Sequence, residues 1–183
     1  MSGITIKGYV TIRQADKVLA KCVRNHFVNG GLKGLISTLI HKNIQGTTTW
    51  YNWYSDWKIY IGSDVDTPTN VSQTALVTPI GAAPGTAPNI NSASIKSGAV
   101  DGIWSIKYIA TWNAGTVSGT LGEVALYMRA PDKSDFGWTV TSNYTPSTVM
   151  VSRLSSAGLD LSSFIIDEDV PLTVEWTVQL AFA

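Results

Sequence analysis

The side chains in this sequence with the ordinary equipment for catalysis are few. They are three glutamates (Glu123, Glu168, Glu175), two histidines (His26, His41) and one cysteine (Cys22). Paired carboxyl groups can hydrolyse glycosides, one as acid and one as base or nucleophile. Glu123, Glu168 and Glu175 are the only glutamates available for that role. Two of them are expected to face solvent or cap loops. Neither histidine lies in a His-x-x-x-His or Glu-x-x-His spacing, so no metal site is expected. No Gly-x-Ser-x-Gly elbow is present for a serine nucleophile. Cys22 has no second cysteine, which excludes an internal disulfide and a thiolate cluster; a small core residue is the expected role. Gly30-Gly31-Leu32-Lys33-Gly34 lacks the nucleotide-binding spacing and a following Lys-Ser/Thr, so it is not a phosphate loop. The expectation is a protein that is not an enzyme and carries no cofactor.

Binding signals are stronger. Trp50, Tyr51, Trp53, Tyr54 and Trp57 fall within eight residues. Such clusters bind sugars, stack bases, fill subunit interfaces or plug one end of a β core, and the sequence leaves these readings open. Asp64, Asp66 and Asn70 have a superficial calcium-loop spacing, but Pro68 and the missing closing Glu break it. Asn70-Val71-Ser72 and Asn143-Tyr144-Thr145 are glycosylation sequons.

The elements that must position these residues read mainly as strands. Residues 170–182 set Val170, Leu172, Val174, Trp176, Val178, Leu180 and Phe182 against mostly polar neighbours. This two-residue rhythm gives a strand of about 40 Å with one apolar face, which needs a large apolar partner. Ile4, Ile6, Val10 and Ile12 alternate likewise. Gln14-Ala15-Asp16 then turns into a return strand over 18–28. In the next segment Leu32, Leu35, Ile36, Leu39 and Ile40 follow a helical stripe, with Asn29 placed to cap its start. Residues 57–61, 103–113, 121–128 and 148–154 read as further strands, and 159–169 as an acidic loop. Residues 63–97 are rich in Pro, Gly, Asn and Thr. An unstructured loop of that length is unusual inside a compact domain, so an extended loop or arm, or a segment that wraps a neighbour, is expected. About eight strands and one short amphipathic helix suit a single mainly-β domain over 1–183, a two-sheet β-sandwich of jelly-roll kind.

Bulk composition fits an ordered domain. Of 183 residues, 44% are hydrophobic, and mean hydropathy is +0.11. Only 14% are charged, against about 25% in typical domains. A surface of Ser, Thr, Asn and Gln suits close subunit packing, or an acidic or extracellular setting. Net charge is zero but uneven. Lys7, Arg13, Lys17, Lys21, Arg24, Lys33 and Lys42 precede residue 43 with only Asp16 against them, which leaves +6 there and −6 beyond. That polarity can steer a partner or match a sibling subunit, and less readily touch nucleic acid. Residues 1–13 lack an apolar h-region, so no signal peptide is expected, and no stretch is long and apolar enough for a membrane span.

Several short motifs occur in a telling order. Arg24-Asn25-His26-Phe27-Val28-Asn29-Gly30-Gly31-Leu32 precedes the helix. Ile59-Tyr60-Ile61-Gly62-Ser63 is followed by Asp66-Thr67-Pro68-Thr69 and Gln73-Thr74-Ala75-Leu76. Gly122-Glu123-Val124-Ala125-Leu126-Tyr127, Met150-Val151-Ser152-Arg153-Leu154 and Leu172-Thr173-Val174-Glu175-Trp176 complete the series. This series resembles small virion structural proteins of tailed phages and archaeal viruses: tail, fibre, baseplate or decoration components. Ala125 and Asp64 stand where those proteins usually carry Gly. The resemblance implies a particle subunit made in the host cytoplasm and located in the virion. Its implied partners are copies of itself and other virion proteins, and it names no active residues. The alternative is a receptor- or carbohydrate-binding module at a fibre tip, with Trp50, Tyr51, Trp53, Tyr54 and Trp57 stacking on a host surface glycan.

Overall fold

The computed structural model describes residues 4–24, 26–29, 31, 57–80, 89–90, 96–98, 103–131, 146–157, 161 and 163–182. They form twelve strands in three antiparallel sheets. The strands are β1 (Ile4–Gln14), β2 (Lys17–Arg24), β3 (His26–Phe27), β4 (Lys58–Gly62), β5 (Asn89–Ile90) and β6 (Lys96–Gly98). After them come β7 (Ile103–Trp112), β8 (Gly119–Leu121), β9 (Glu123–Pro131), β10 (Pro146–Ser155), β11 (Phe164–Ile166) and β12 (Leu172–Phe182). The largest sheet runs β2-β1-β12-β7-β5, with β6 also on β7; the second runs β3-β10-β9-β4; β11 and β8 form the third.

The alternating segment is the middle of the largest sheet. β12 pairs with β1 over eleven residues, from Ile4↔Phe182 to Gln14↔Leu172, and with β7 on its other side. The described part of its apolar face is in the core: Leu172, Val174 and Trp176 are buried completely, and Val178 nearly so. Thr173, Glu175, Thr177 and Gln179 on the other face are half-buried. β7 contributes Tyr108, Ala110 and Trp112 to the same side, and β1 adds Val10 and Ile12. Opposite them in one continuous core lie Ile59 and Ile61 of β4, Val124, Leu126 and Met128 of β9, and Leu154 of β10. Trp57 stacks on Tyr108, with ring centroids 4.6 Å apart, and joins the two larger sheets. Burial of this kind is the dominant favourable term in folding.

Three expectations change on contact with the fold. The return strand does not run unbroken from 18 to 28. β2 has two register irregularities against β1 and ends at Arg24; His26–Phe27 then pairs with β10 in the second sheet. Irregularities of this sort bend a strand and increase its twist, which lets the chain cross between sheets. The acidic segment 159–169 is not all loop, because Phe164–Ile166 pairs with Gly119–Leu121. The 63–97 segment does not stand off as an arm where it is described. Asn89–Ile90 and Lys96–Gly98 pair with β7, and 63–80 folds back on the second sheet. The expected helix over 32–40 lies outside the described residues. Among the described residues, no helix is long and apolar enough to cross a membrane.

Trp176 is the largest wholly buried side chain in the core. Trp176→Ala is expected to lower unfolding stability by about 3–5 kcal/mol, read as a shift of the urea midpoint with the slope unchanged.

Candidate functional site

The second sheet carries its own polar site on the face turned away from the main core. A β-bulge creates it. Met150 pairs with Tyr127 and Ser152 with Leu126, so Val151 is an extra residue opposite the ladder. A strand alternates sides with every residue, so one extra residue reverses everything after it. Arg153 therefore pairs with Ala125 on the outer side. In unbroken register it would oppose Val124 and point into the core. The bulge is held from behind: the Val28 N–H donates to the Val151 carbonyl at 3.1 Å. Gly31 packs so closely on the Val151 backbone that a Cβ there would overlap it.

Arg153 is completely buried, and every guanidinium nitrogen is engaged. Nε donates to Glu123 Oε2 at 2.8 Å. Nη2 lies 2.7 Å from the same oxygen and 3.1 Å from Asp64 Oδ2. Nη1 donates to the Thr67 carbonyl at 3.0 Å and to Gln73 Oε1 at 3.3 Å. Glu123 is also wholly buried. Its oxygens accept the Thr78 N–H at 2.8 Å and the Val77 N–H at 3.2 Å. Asp64 accepts the Thr67 N–H and hydroxyl, and Ser155 donates to the Thr67 carbonyl. Taking an ion pair out of water costs several kcal/mol per ion unless the geometry is good and the remaining donors and acceptors are met. Here they are met by one stretch of chain, residues 64–78.

That stretch is a compact loop with its ends joined. Ser63 N–H donates to the Thr78 carbonyl at 2.8 Å, and Ile80 N–H to the Ile61 carbonyl at 2.9 Å. Leu76 anchors it in a small apolar cluster with Val28, Ala125 and Met150, flanked by Tyr60 and Tyr127. The Leu76 N–H donates to the Tyr127 hydroxyl at 3.1 Å, so Leu76, Val77 and Thr78 present three successive amides to the sheet. Two glycines admit the loop. A Cβ on Gly62 would overlap the Glu123 carboxylate and the Thr78 carbonyl, and one on Gly122 the Asp64 carbonyl. Burial pushes the Tyr127 hydroxyl above its ordinary value of 10.0, with the Leu76 hydrogen bond opposing.

The glutamates of the sequence reading are thus distributed over three places. Glu123 belongs to Arg153. Glu175 lies on the outer face of the largest sheet between Arg13 and Lys107. Glu168 is exposed beside a pocket of about 250 Å³ lined by Ile80, Gly115, Thr116, Val117 and Ser118. Of the residues with superficial calcium-loop spacing, Asp64 is bound to Arg153 and Asn70 caps its own turn through Ser72. Among the described residues, no three His, Cys, Asp or Glu side chains are grouped to hold a metal ion. Of the aromatic cluster, Trp57 is in the core, 6% exposed; Trp50, Tyr51, Trp53 and Tyr54 lie outside the described residues. Sequence reasoning gave Arg153 no role of its own. Its signal was a lone cation inside Val149-Met150-Val151-Ser152-Arg153-Leu154, matched by a lone acid opening the apolar strand at Glu123.

Six of the seven motifs read as separate landmarks in the sequence meet here; the seventh, 172–176, lies in β12. Asn29, Gly62, Thr67, Gln73, Glu123 and Arg153 each come from a different one. Asn29 joins through its N–H, which donates to the Val71 carbonyl at 2.7 Å. Comparison of the chain with protein-family models, curated proteins and solved structures gave no match.

Removing one partner of a buried pair strands the other. Arg153→Met is expected to cost about 3–5 kcal/mol and to open 63–80 to limited proteolysis. Arg153→Met with Glu123→Leu should cost less than the two single changes added together, because neither change then strands the other's buried charge, although Asp64 and the Val77 and Thr78 amides also lose a partner. A double-mutant cycle in urea measures the difference. Tyr127 gives a pH signature. Its folded value is raised, so the folded state holds the proton longer than the unfolded chain, and stability falls as pH climbs above 10.0 toward that raised value. Tyr127→Phe should remove this alkaline component, read by unfolding at stepped pH.

Proposed function

We propose that the chain is a structural subunit of a virus particle, in its tail, fibre, baseplate or capsid-associated layer. In this reading it is a two-sheet β-sandwich of jelly-roll kind, and it acts by contact with copies of itself and other virion proteins rather than by catalysis. The observation that carries the reading is the clamped loop. A buried arginine, a buried glutamate and two close glycine contacts hold residues 63–80 in one shape. That shape presents three valines to solvent among polar neighbours: Val71 is 60% exposed, Val77 48% and Val65 38%. These are three of the five large hydrophobic side chains exposed among the described residues.

A rigid surface loses little entropy on docking, and exposed apolar side chains gathered on one loop suit a protein partner. The six landmark residues that meet around this loop come from the motifs that resemble virion proteins. That resemblance therefore has a physical content: the motifs that carry them serve one loop-fixing device. The low charge of the chain as a whole, 14%, fits subunits packed side by side. Trp57 is spent on the core, so the glycan-platform alternative has lost one of its five aromatics.

Purified protein is expected to form ordered oligomers by negative-stain electron microscopy and to be found in particles by mass spectrometry. Val71→Lys with Val77→Lys should weaken the oligomer while changing stability by no more than about 0.5 kcal/mol per site. A protein that stays monomeric at high concentration and is absent from particles would overturn the reading.

A further inference from the structure

The uneven charge of the sequence survives folding, and the sheet register shows where it goes. Across four strands of the largest sheet, Arg24, Tyr9, Thr177 and Lys107 stand in one row. The row beside it holds Lys7, Gln179 and Ser105. Arg13 lies further along β1 on the same face and shares Glu175 with Lys107. Lys7, Arg13, Arg24 and Lys107 stand against Glu175 alone, and exposed Lys21 of β2 adds to them, so these charges leave the face net positive. It is open to solvent: Arg24 is exposed, and the Arg13 and Lys107 side chains are 38% and 39% exposed.

The end of the same sheet has the opposite sign. The Gln14 side chain is buried and bonds both the carbonyl and the N–H of Asp167, at 2.9 and 3.2 Å. The Ala15 N–H donates to the Pro171 carbonyl. These bonds fix the β1–β2 turn against residues 167–171. Asp16, Asp167, Glu168 and Asp169 are exposed there with Lys17, which leaves the end at −3. Lys7 and the row of Arg24 and Lys107 lie seven and five residues from Gln14 along β1, about 23 and 17 Å, beyond one Debye length of about 10 Å at 0.1 M salt, whereas Arg13 beside Gln14 is already paired with Glu175. Lys7, Arg24 and Lys107 are therefore poorly neutralised by the acidic end of their own chain, and the two patches are opposite in sign between chains.

We infer that copies of this chain associate head to tail, the acidic β1–β2 end of one seated on the basic outer face of the largest sheet of the next. This rests on the subunit reading above and adds a second contact, apart from the 63–80 loop. A face that meets a different surface on its neighbour is a heterologous interface, which closes into rings or extends into filaments. Electrostatic matching of this kind sets orientation and association rate more than depth of affinity.

The test uses two charge-reversed variants of the full chain followed by sedimentation velocity. Lys7→Glu with Arg24→Glu makes the face acidic like the end. Glu168→Lys with Asp169→Lys makes the end basic like the face. Each variant alone should associate at least about tenfold more weakly than the parent. An equimolar mixture should recover assembly, since reversed face then meets reversed end. One chain carrying all four changes should recover it too. Raising salt from about 0.05 to about 0.5 M should dissociate the parent, because it shortens the Debye length to a few Å. Oligomers that ignore both salt and reversal would overturn this contact while leaving the subunit reading in place. A parent that is monomeric at every salt concentration would overturn both. Binding of the basic face to a polyanion such as an oligonucleotide or heparin, with no self-association, would also overturn the contact.

Discussion

The buried guanidinium of Arg153 is the constraint around which the second sheet and its loop are arranged. A charge with no exposure must have its donors met locally, because no solvent can meet them. Glu123 and Asp64 supply the opposite charge, and the Thr67 carbonyl and Gln73 take the remaining hydrogens. All of these but Glu123 sit on residues 64–78, so satisfying one side chain dictates the path of a whole surface segment. The bulge at Val151, the bare backbone of Gly31, Gly62 and Gly122, and the anchor Leu76 are consequences of the same demand. The loop keeps its shape because abandoning it would leave an ion stranded in a dry site.

The main core makes a contrasting case. It is held by area rather than by specific bonds. β12 lies between β1 and β7 with Leu172, Val174, Trp176 and Val178 buried, and Trp57 bridges the sheets by stacking on Tyr108. Core packing tolerates exchange of similar shapes, whereas the clamp depends on particular donors at particular atoms. The molecule thus combines a forgiving interior with one exacting polar joint, and the joint serves the surface.

What could be read in advance follows from this division. The period-two pattern of residues 170–182 and 103–113 is local, and among the described side chains it places Tyr108, Ala110, Trp112, Leu172, Val174, Trp176 and Val178 in the core, while Val170 is half-buried. The hairpin turn at Gln14-Ala15-Asp16 was equally legible, with Ala15 at a left-handed φ of 45°. The exit of the chain from β2 to β3 was not, because it depends on irregularities set by the neighbouring strand. Arg153 was quoted within a motif without a role. Its partners lie 30 to 89 residues away in sequence, and its facing depends on one extra residue in β10. Nothing in a six-residue window encodes either fact. The loop 63–80 looked like a detached arm for the same reason. Its polar composition is that of an exposed linker until the buried arginine that consumes its carbonyls is known.

The placement of β12 between β1 and β7 has a consequence for how the fold is reached. Gln14 finds Asp167 across 153 residues of chain, and the whole length of β1 awaits strand partners equally remote. Contacts this distant make folding slow, since a long segment must be closed before the pairing is rewarded. Throughout that interval the first hairpin carries one open edge of unpaired amides and carbonyls, a template for pairing with the wrong chain. The lysines and arginines spaced along β1 and β2 repel a second copy of the same hairpin. They therefore act as gatekeepers during synthesis as well as surface charge afterwards.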